Sequence, residues 1–432
     1  MGGVHLSVNK LGSGSVELFQ EMKNFIKRIF ILLVPAFLIA CGKNPDDKVV
    51  RLAGSMSPGE FRLVPKVLKE FRKKQPGIKV KYELISGNYI DLIQTRIAGG
   101  TPPSVFYLDD LYAPDLISKD VLEPLDEYIK RDGVDLSDFY PNLLAAFQRD
   151  GKTYGLPKDY NTLGLYCNKK IFAAANLSPP RDWNELYETA RKLTGNKNGK
   201  KIYGLCLSAD LARWLPFVYQ AGGRLVSSDG KKMAINSPES LKALNYYVQF
   251  IKEKIAVKPT TVGATWCGQA FGLGKVAMVI EGGWLIPSLT NDFPHLEYSI
   301  SPLPKGEKNA TIAFTVAYAI PRRIKNKEEA WQLLKYLTGR EGMKEWTELG
   351  MALPSRKSLS ASAYYEKNPQ WNALIESTKF AFPWQFTPDF GRISRFITNE
   401  LESVFLGLKS APQALADMEK YGNRRLKRRY HE

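Results

Sequence analysis

Residues 49–108 read VVRLAGSMSPGEFRLVPKVLKEFRKKQPGIKVKYELISGNYIDLIQTRIAGGTPPSVFYL, and this stretch decides the fold. Residues 49–53 are an apolar run of strand length. Phe61, Val64, Val67, Leu68 and Phe71 recur at helical spacing, which predicts an amphipathic helix over 61–75 stopped by Pro76-Gly77. Residues 78–85 alternate as a strand, 89–98 read as a second helix closed by Gly99-Gly100, and 105–108 form a short buried strand. This β-α-β-α-β order predicts an α/β fold with a largely parallel, layered sheet.

The same habit resumes downstream. Residues 163–166, 201–207 and 276–280 read as strands. Asp182, followed three residues later by Glu185, caps a helix running to Leu193. Ser237-Pro238-Glu239 opens a helix through residue 251, with Ser237 as cap and Pro238 at the first helical position. Residues 327–337 and 340–348 are helical, as is the chain beyond Trp371.

Upstream of the fold lies MKNFIKRIFILLVPAFLIACG, residues 22–42. A basic start (Lys23, Lys27, Arg28), a 12-residue apolar run over 29–40 and the ending Leu-Ile-Ala-Cys read as a secretory signal peptide. A bilayer span needs roughly 20 apolar residues. The ending resembles a bacterial lipobox, with cleavage before Cys41 and lipid on its sulfur. Residues 1–40 are therefore set aside as upstream extension and signal peptide, and 41–47 as a tether. The expected location is extracytoplasmic, anchored to the membrane by lipid.

The chain carries a net charge of +17. Residues 1–40 hold four basic and two acidic side chains, so the remainder carries +15. The Lys and Arg residues are scattered and accompany no nucleic-acid-binding signature, so a solvated basic surface is expected and nucleic acid is not a partner. The C-terminal cluster Arg424-Arg425-Leu426-Lys427-Arg428-Arg429 suits either anionic lipid or a frayed tail. Besides Cys41 there are Cys167, Cys206 and Cys267, an odd number. Cys167 and Cys206 lie in apolar strand-like runs where a buried free thiol is the default, and one disulfide is left open. No Cys/His cluster suggests a metal and no motif suggests a cofactor. GxSxG, HExxH and Walker motifs are all missing, and the three histidines leave almost no imidazole for hydrolase chemistry.

The loops after the strands carry the unusual residues. Tyr107, Asp109 and Asp110 follow one strand, Tyr160 and Asn161 precede another, and Trp284 follows Glu281-Gly282-Gly283. Ser55 lies just beyond the first strand, and Trp214, Trp266 and Trp384 sit in or beside other loops. Ligands in α/β sheets bind at the C-terminal ends of strands. Aromatic rings lie flat on the C–H faces of a pyranose, and Asp and Asn accept from its hydroxyls.

Several stretches occur together in order: Gly155-Leu156-Pro157 with Leu165-Tyr166-Cys167-Asn168-Lys169, Asp182-Trp183-Asn184-Glu185-Leu186, Gly222-Gly223-Arg224 with Asp229-Gly230-Lys231, residues 271–278 running into Glu281-Gly282-Gly283-Trp284, and Leu353-Pro354-Ser355-Arg356. This ordered set resembles the extracellular solute-binding proteins of carbohydrate ABC importers, over roughly residues 48–405. The resemblance implies a two-lobed periplasmic-binding-protein-like fold (type II), with hinged lobes around a ligand cleft. It places lobe 1 at 48–159 and 314–352 and lobe 2 at 160–313 and 353–432, with crossings near Tyr160, Phe314 and Leu353. It implies a monomer whose partners are a carbohydrate and an ABC permease, with Trp284, Asp109, Asp110, Tyr107, Asn161 and Trp214 at the cleft. Where many members carry Gly-Gly before the second crossing, this chain has Ile312-Ala313-Phe314-Thr315, a bulkier wall. Two rival functions are a binder of a phosphorylated polyol or other small solute, and a surface glycoside hydrolase. The hydrolase needs two carboxyls roughly 5–10 Å apart, and no such pair announces itself.

Overall fold

The computed structural model describes Gly2 and residues 49–430, apart from positions 56, 57, 198, 349, 351 and 361. The expected signal peptide and tether, Cys41 included, lie outside the described residues. Strands β1 (Val49–Ser55), β2 (Lys79–Ile85) and β3 (Val105–Asp109) alternate with helices α1 (Pro58–Lys74) and α2 (Tyr89–Ala98), as the opening stretch predicts. A small hairpin, β4 (Gln148–Arg149) and β5 (Lys152–Thr153), leads into β6 (Gly155–Asn168), whose every residue is buried. Next come α3 (Trp183–Leu193), β7 (Gly195–Lys197), β8 (Lys200–Cys206), α4 (Leu211–Gln220), α5 (Pro238–Lys252) and β9 (Ala256–Val257). They are followed by α6 (Cys267–Gly272), β10 (Val276–Gly282), α7 (Leu285–Asp292), β11 (Tyr298–Pro302) and β12 (Thr311–Ala319). The remaining main elements are α8 (Lys327–Thr338), α9 (Arg340–Thr347), β13 (Ala381–Pro383), α10 (Phe390–Phe405) and α11 (Ala411–Tyr430).

Among the described residues, 11 strands form one sheet in the order β2-β1-β3-β12-β6-β10-β8-β7, with β11 on β6, β13 on β12 and β9 on β8. The pairs β1–β3 and β8–β10 are parallel. The sheet is nonetheless mixed, because β6 and β12 run antiparallel to each other, β12 to β3, and β6 to β10. β6 is shared. Its residues Gly155 to Thr162 pair with β12, and Leu163 to Cys167 pair with β10. The sequence reads residues 159–162 as a loop, but the polar side chains there are accommodated inside one continuous strand.

Two hydrophobic cores pack on each half of the sheet. Around β1–β3 one gathers Val50, Phe71, Trp331 and Met343, and the other Ile93, Phe106 and Phe147. Around β8 and β10 one gathers Leu163, Trp214, Leu244 and Ile397, and the other Tyr166, Phe271, Val279 and Trp371. Side-chain caps set the helix starts. Asp182 accepts from the Glu185 N–H at 2.9 Å, and Ser237 from the Ser240 N–H at 3.2 Å. Each cap satisfies one of the orphan donors of a first turn. Cys167 is a buried free thiol, but Cys206 is not: it forms a disulfide with Cys267, tying the end of β8 to the start of α6. Among the described residues no helix is long and apolar enough to cross a membrane, and no cluster of His, Cys, Asp or Glu could hold a metal ion.

Candidate ligand site

Three strands end at one cavity. β1 delivers Ser55, β3 delivers Asp109 just past Tyr107, and β10 delivers Trp284 two residues beyond Gly282; all of these line a cavity of about 440 Å³ together with Asn161 of β6. Convergence at C-terminal strand ends is where an α/β sheet exposes side chains to a ligand.

Trp284 is half-buried, and its indole Nε1 donates to Glu281 Oε2 at 2.9 Å. The same oxygen accepts from Arg213 at 2.6 Å, and Arg213 also bonds Asp210 at 3.1 Å. The indole stands edge-on to Phe314, ring centroids 5.7 Å apart. The two glycines before it are steric requirements, not exposed backbone: both are buried. A Cβ at Gly282 would sit 2.4 Å from the Trp284 ring, and one at Gly283 would sit 2.3 Å from Trp371 and 2.5 Å from Asn161 Oδ1. Tyr166 fixes the strand end from below, its hydroxyl donating to the Gly282 carbonyl at 2.8 Å. Asn161 is only 9% exposed, and its Oδ1 has no hydrogen-bond partner. This unpaired acceptor is covered by the Gly283 backbone, and a small shift of the wall would present it to an incoming hydroxyl donor.

The strongest polar feature comes from a bulge. In the β6–β12 ladder Pro157 faces Ala317 and Asp159 faces Val316, so Lys158 is an extra residue. A bulge of this kind re-aims side chains. Here the neighbours Lys158 and Asp159 both line the cavity, and Lys158 Nζ lies 2.5 Å from Asp159 Oδ2. The ammonium sits 4.1 Å from the Trp346 ring centroid and 4.9 Å from that of Tyr107, a cation–π arrangement. Trp346 closes the network by donating its Nε1 to Asp159 Oδ2 at 2.7 Å.

Asp109 and Asp110 differ. Asp109 lines the cavity, and its Oδ1 accepts from the Leu111 N–H at 2.9 Å. Burial pushes its carboxyl up to about 6. Asp110 was expected to face the cleft, but it is fully buried away from the lining, with Oδ2 accepting from the Thr315 N–H at 3.3 Å. Burial, and then the charge of Asp109, push it well above the usual carboxylate range. A raised native pKa stabilises the protein most below the unfolded value, and that stability is lost as pH rises through the native value. The contribution of Asp109 to the stability of the unliganded protein should therefore decline steadily between about pH 4 and pH 6 and level off above, by at most about 3 kcal/mol in all. Melting curves of wild type and Asp109→Asn check this: the decline should be smaller in the variant, where only the buried Asp110 still contributes, and an unchanged decline would refute the assignment.

The remaining predicted residues lie off the cavity lining. Trp214 is a fully buried core residue on α4, not a loop residue. Trp384 packs against Phe314 at 5.6 Å, Tyr160 is buried edge-on to Tyr140 at 5.8 Å, and Trp266 precedes α6 beside Gly268. Lys158, Asp159, Trp346, Tyr89 and Tyr112 are lining residues that the sequence reading missed. The available signal was a Lys-Asp pair inside an otherwise uncharged run.

Residues 57–344 match the family model described as bacterial extracellular solute-binding protein. An ABC substrate-binding protein of Listeria monocytogenes, solved in complex with cycloalternan, is similar with a TM-score of 0.82 and 26% identity, covering 88% of this chain and 99% of its own. An ABC transporter solute-binding protein of Thermotoga lettingae, bound with α-D-tagatose, has a TM-score of 0.80 and 28% identity over 88% of this chain and 100% of its own. A galactooligosaccharide-binding protein of Bacillus subtilis is 25% identical over 407 residues, 88% of this chain and 91% of the relative. The fold is accordingly the two-lobed α/β form.

Proposed function

This chain belongs to the bacterial extracellular solute-binding proteins, and from that premise we propose that it captures a saccharide in the cavity at the β1, β3 and β10 strand ends and delivers it to an ABC importer permease. One observation carries the reading: Trp284 and Asn161, whose buried Oδ1 has no hydrogen-bond partner, line the same cavity. A pyranose offers an apolar face to the first and a hydroxyl to the second. The named ligands of the similar Listeria, Thermotoga and Bacillus proteins support it.

Charge balance in the wall favours an uncharged ligand over a phosphorylated polyol. Lys158, which lines the cavity, is balanced by Asp159, and off the lining, beside Trp284, Arg213 is balanced by Glu281 and Asp210. An anionic group would therefore meet no uncompensated cation there, while Asp109 would repel it once ionised. Capture without chemistry is the reading, since the relatives are described as binding proteins.

We place lobe 1 at residues 48–159 and 314–352 and lobe 2 at 160–313 and 353–432. In support, the three crossings are neighbours. Phe314 pairs with Asn161, and Tyr160 exchanges both backbone hydrogen bonds with Leu353 at 2.9 Å. Closure is then a hinge motion biased by a ligand that touches both lobes. Lipid on Cys41 would hold the protein at the membrane surface, near its permease.

A thermal-shift screen against mono- and oligosaccharides and phosphorylated polyols tests the proposal. A cognate sugar at 100 times its dissociation constant should add about 2.7 kcal/mol of stability. A shift with glycerol phosphate and none with any sugar would overturn it, as would release of new reducing ends from an oligosaccharide.

A further inference from the structure

A second cavity of about 330 Å³ adjoins the ligand cavity, and Tyr112 lines both. Tyr112 stands in the turn after β3, its N–H bonded to the Asp109 carbonyl at 3.0 Å, so its position is tied to a cavity residue. Its ring is half-buried and packs against a core cluster from each half of the sheet. On the far side it lies against the first turn of α10. A Cβ on Gly391 would come within 2.4 Å of the ring, so only glycine lets the ring rest there. The partition is therefore made by separate parts of the chain: the β3 turn supplies the ring, α10 the surface it rests on, and Ile90 of α2 lines both cavities beside it.

The adjoining chamber is polar and internally balanced. Lys119 pairs with Asp115 at 2.6 Å, Arg392 with Asp389 at 3.5 Å, and Arg395 with Asp91 at 3.8 Å. Walls of matched charges accept hydroxyl-rich groups without favouring either sign of charge. The chamber is thus chemically suited to a further unit of the ligand that the larger cavity receives, and Tyr112 and Ile90 are the residues that line both.

We propose that Tyr112 sets the length of saccharide this protein accepts, by walling off the chamber between α2, the β3 turn and α10 from the ligand cavity. The inference rests on the saccharide reading. Specificity here is negative: the ring excludes the longer ligand by occupying the volume of its next unit.

The test uses the full chain, Tyr112→Ala and Tyr112→Phe, titrated by calorimetry against gluco-, galacto-, manno- and arabino-configured series from one to five units. In wild type, affinity within the accepted series should drop roughly tenfold or more beyond one length, as expected for a steric exclusion. Tyr112→Ala should bind the next longer member within about threefold of the best wild-type ligand, and Tyr112→Phe should keep the wild-type limit, because the ring and not the hydroxyl excludes. If the alanine variant melts far below wild type, Tyr112→Leu replaces it, removing the ring while keeping an apolar side chain. An unchanged length profile on loss of the ring overturns the inference alone, as does a wild type with no length limit or a limit lost in Tyr112→Phe. A wild type that binds no member of any series overturns both this inference and the saccharide reading.

Discussion

Replacing Trp284 with alanine is expected to weaken saccharide binding by about 2 kcal/mol or more, roughly 30-fold, while leaving a folded protein. The indole stands half-buried beside the cavity, over the end of its own strand, where Gly282 leaves room for it. Removing it deletes the stacking face. It does not orphan Glu281, which keeps its 2.6 Å bond to Arg213. A fully buried tryptophan would cost about 3–5 kcal/mol of stability on truncation. A half-buried one with a surviving network should cost less. Calorimetry on the variant, paired with its melting curve without ligand, separates the two effects. A variant that melts far below wild type yet binds normally when folded would end the stacking role.

The second large effect concerns the disulfide. Cys206 and Cys267 are 61 residues apart in sequence, and the bridge closes that segment into a loop. On the chain-entropy account, a loop of this size restricts the unfolded state by about 4 kcal/mol. A Cys206→Ser, Cys267→Ser double variant should therefore unfold at a clearly lower guanidinium concentration than wild type, and reductant should move wild type to the same midpoint. Cys167→Ala should move it less, and reductant should not reproduce that change, because the thiol is free. Titration of the unfolded, unreduced protein lacking Cys41 should find one thiol. Three thiols, or midpoints indifferent to reductant, would refute the pairing. An oxidised bridge also fits an extracytoplasmic protein.

The parts of the fold legible in the sequence were those set by local chemistry. Residues 89–98 form the predicted helix because apolar spacing and the closing Gly99-Gly100 agree. Asp182 and Ser237 open their helices because a cap acts within one turn. The strand ends carrying Asp109 and Trp284 were visible for the same reason. The failures were long-range. Nothing local tells that Lys158 and Asp159 neutralise each other inside a buried strand, because strand neighbours ordinarily face opposite ways. The bulge that unites them depends on the register of β12, more than 150 residues on. Trp346 could be recognised only through its bond to Asp159. Trp214 and Trp384 misled because a tryptophan near a loop and one in a core look alike until their neighbours are known.

The passage of β6 from one half of the sheet to the other bears on how such a protein can be altered. On the lobe boundaries proposed above, a chimera that exchanged one lobe for a relative's would have to cut through the middle of this strand and of β12 beside it. The two halves are thus not interchangeable modules, although each has its own cores. One residue added or lost within β6 would turn the faces of everything beyond it, Asn161 included, unless a bulge absorbed the change. New ligand preferences in this lineage are therefore more readily reached by exchanging side chains on the cavity wall than by insertion, deletion or recombination.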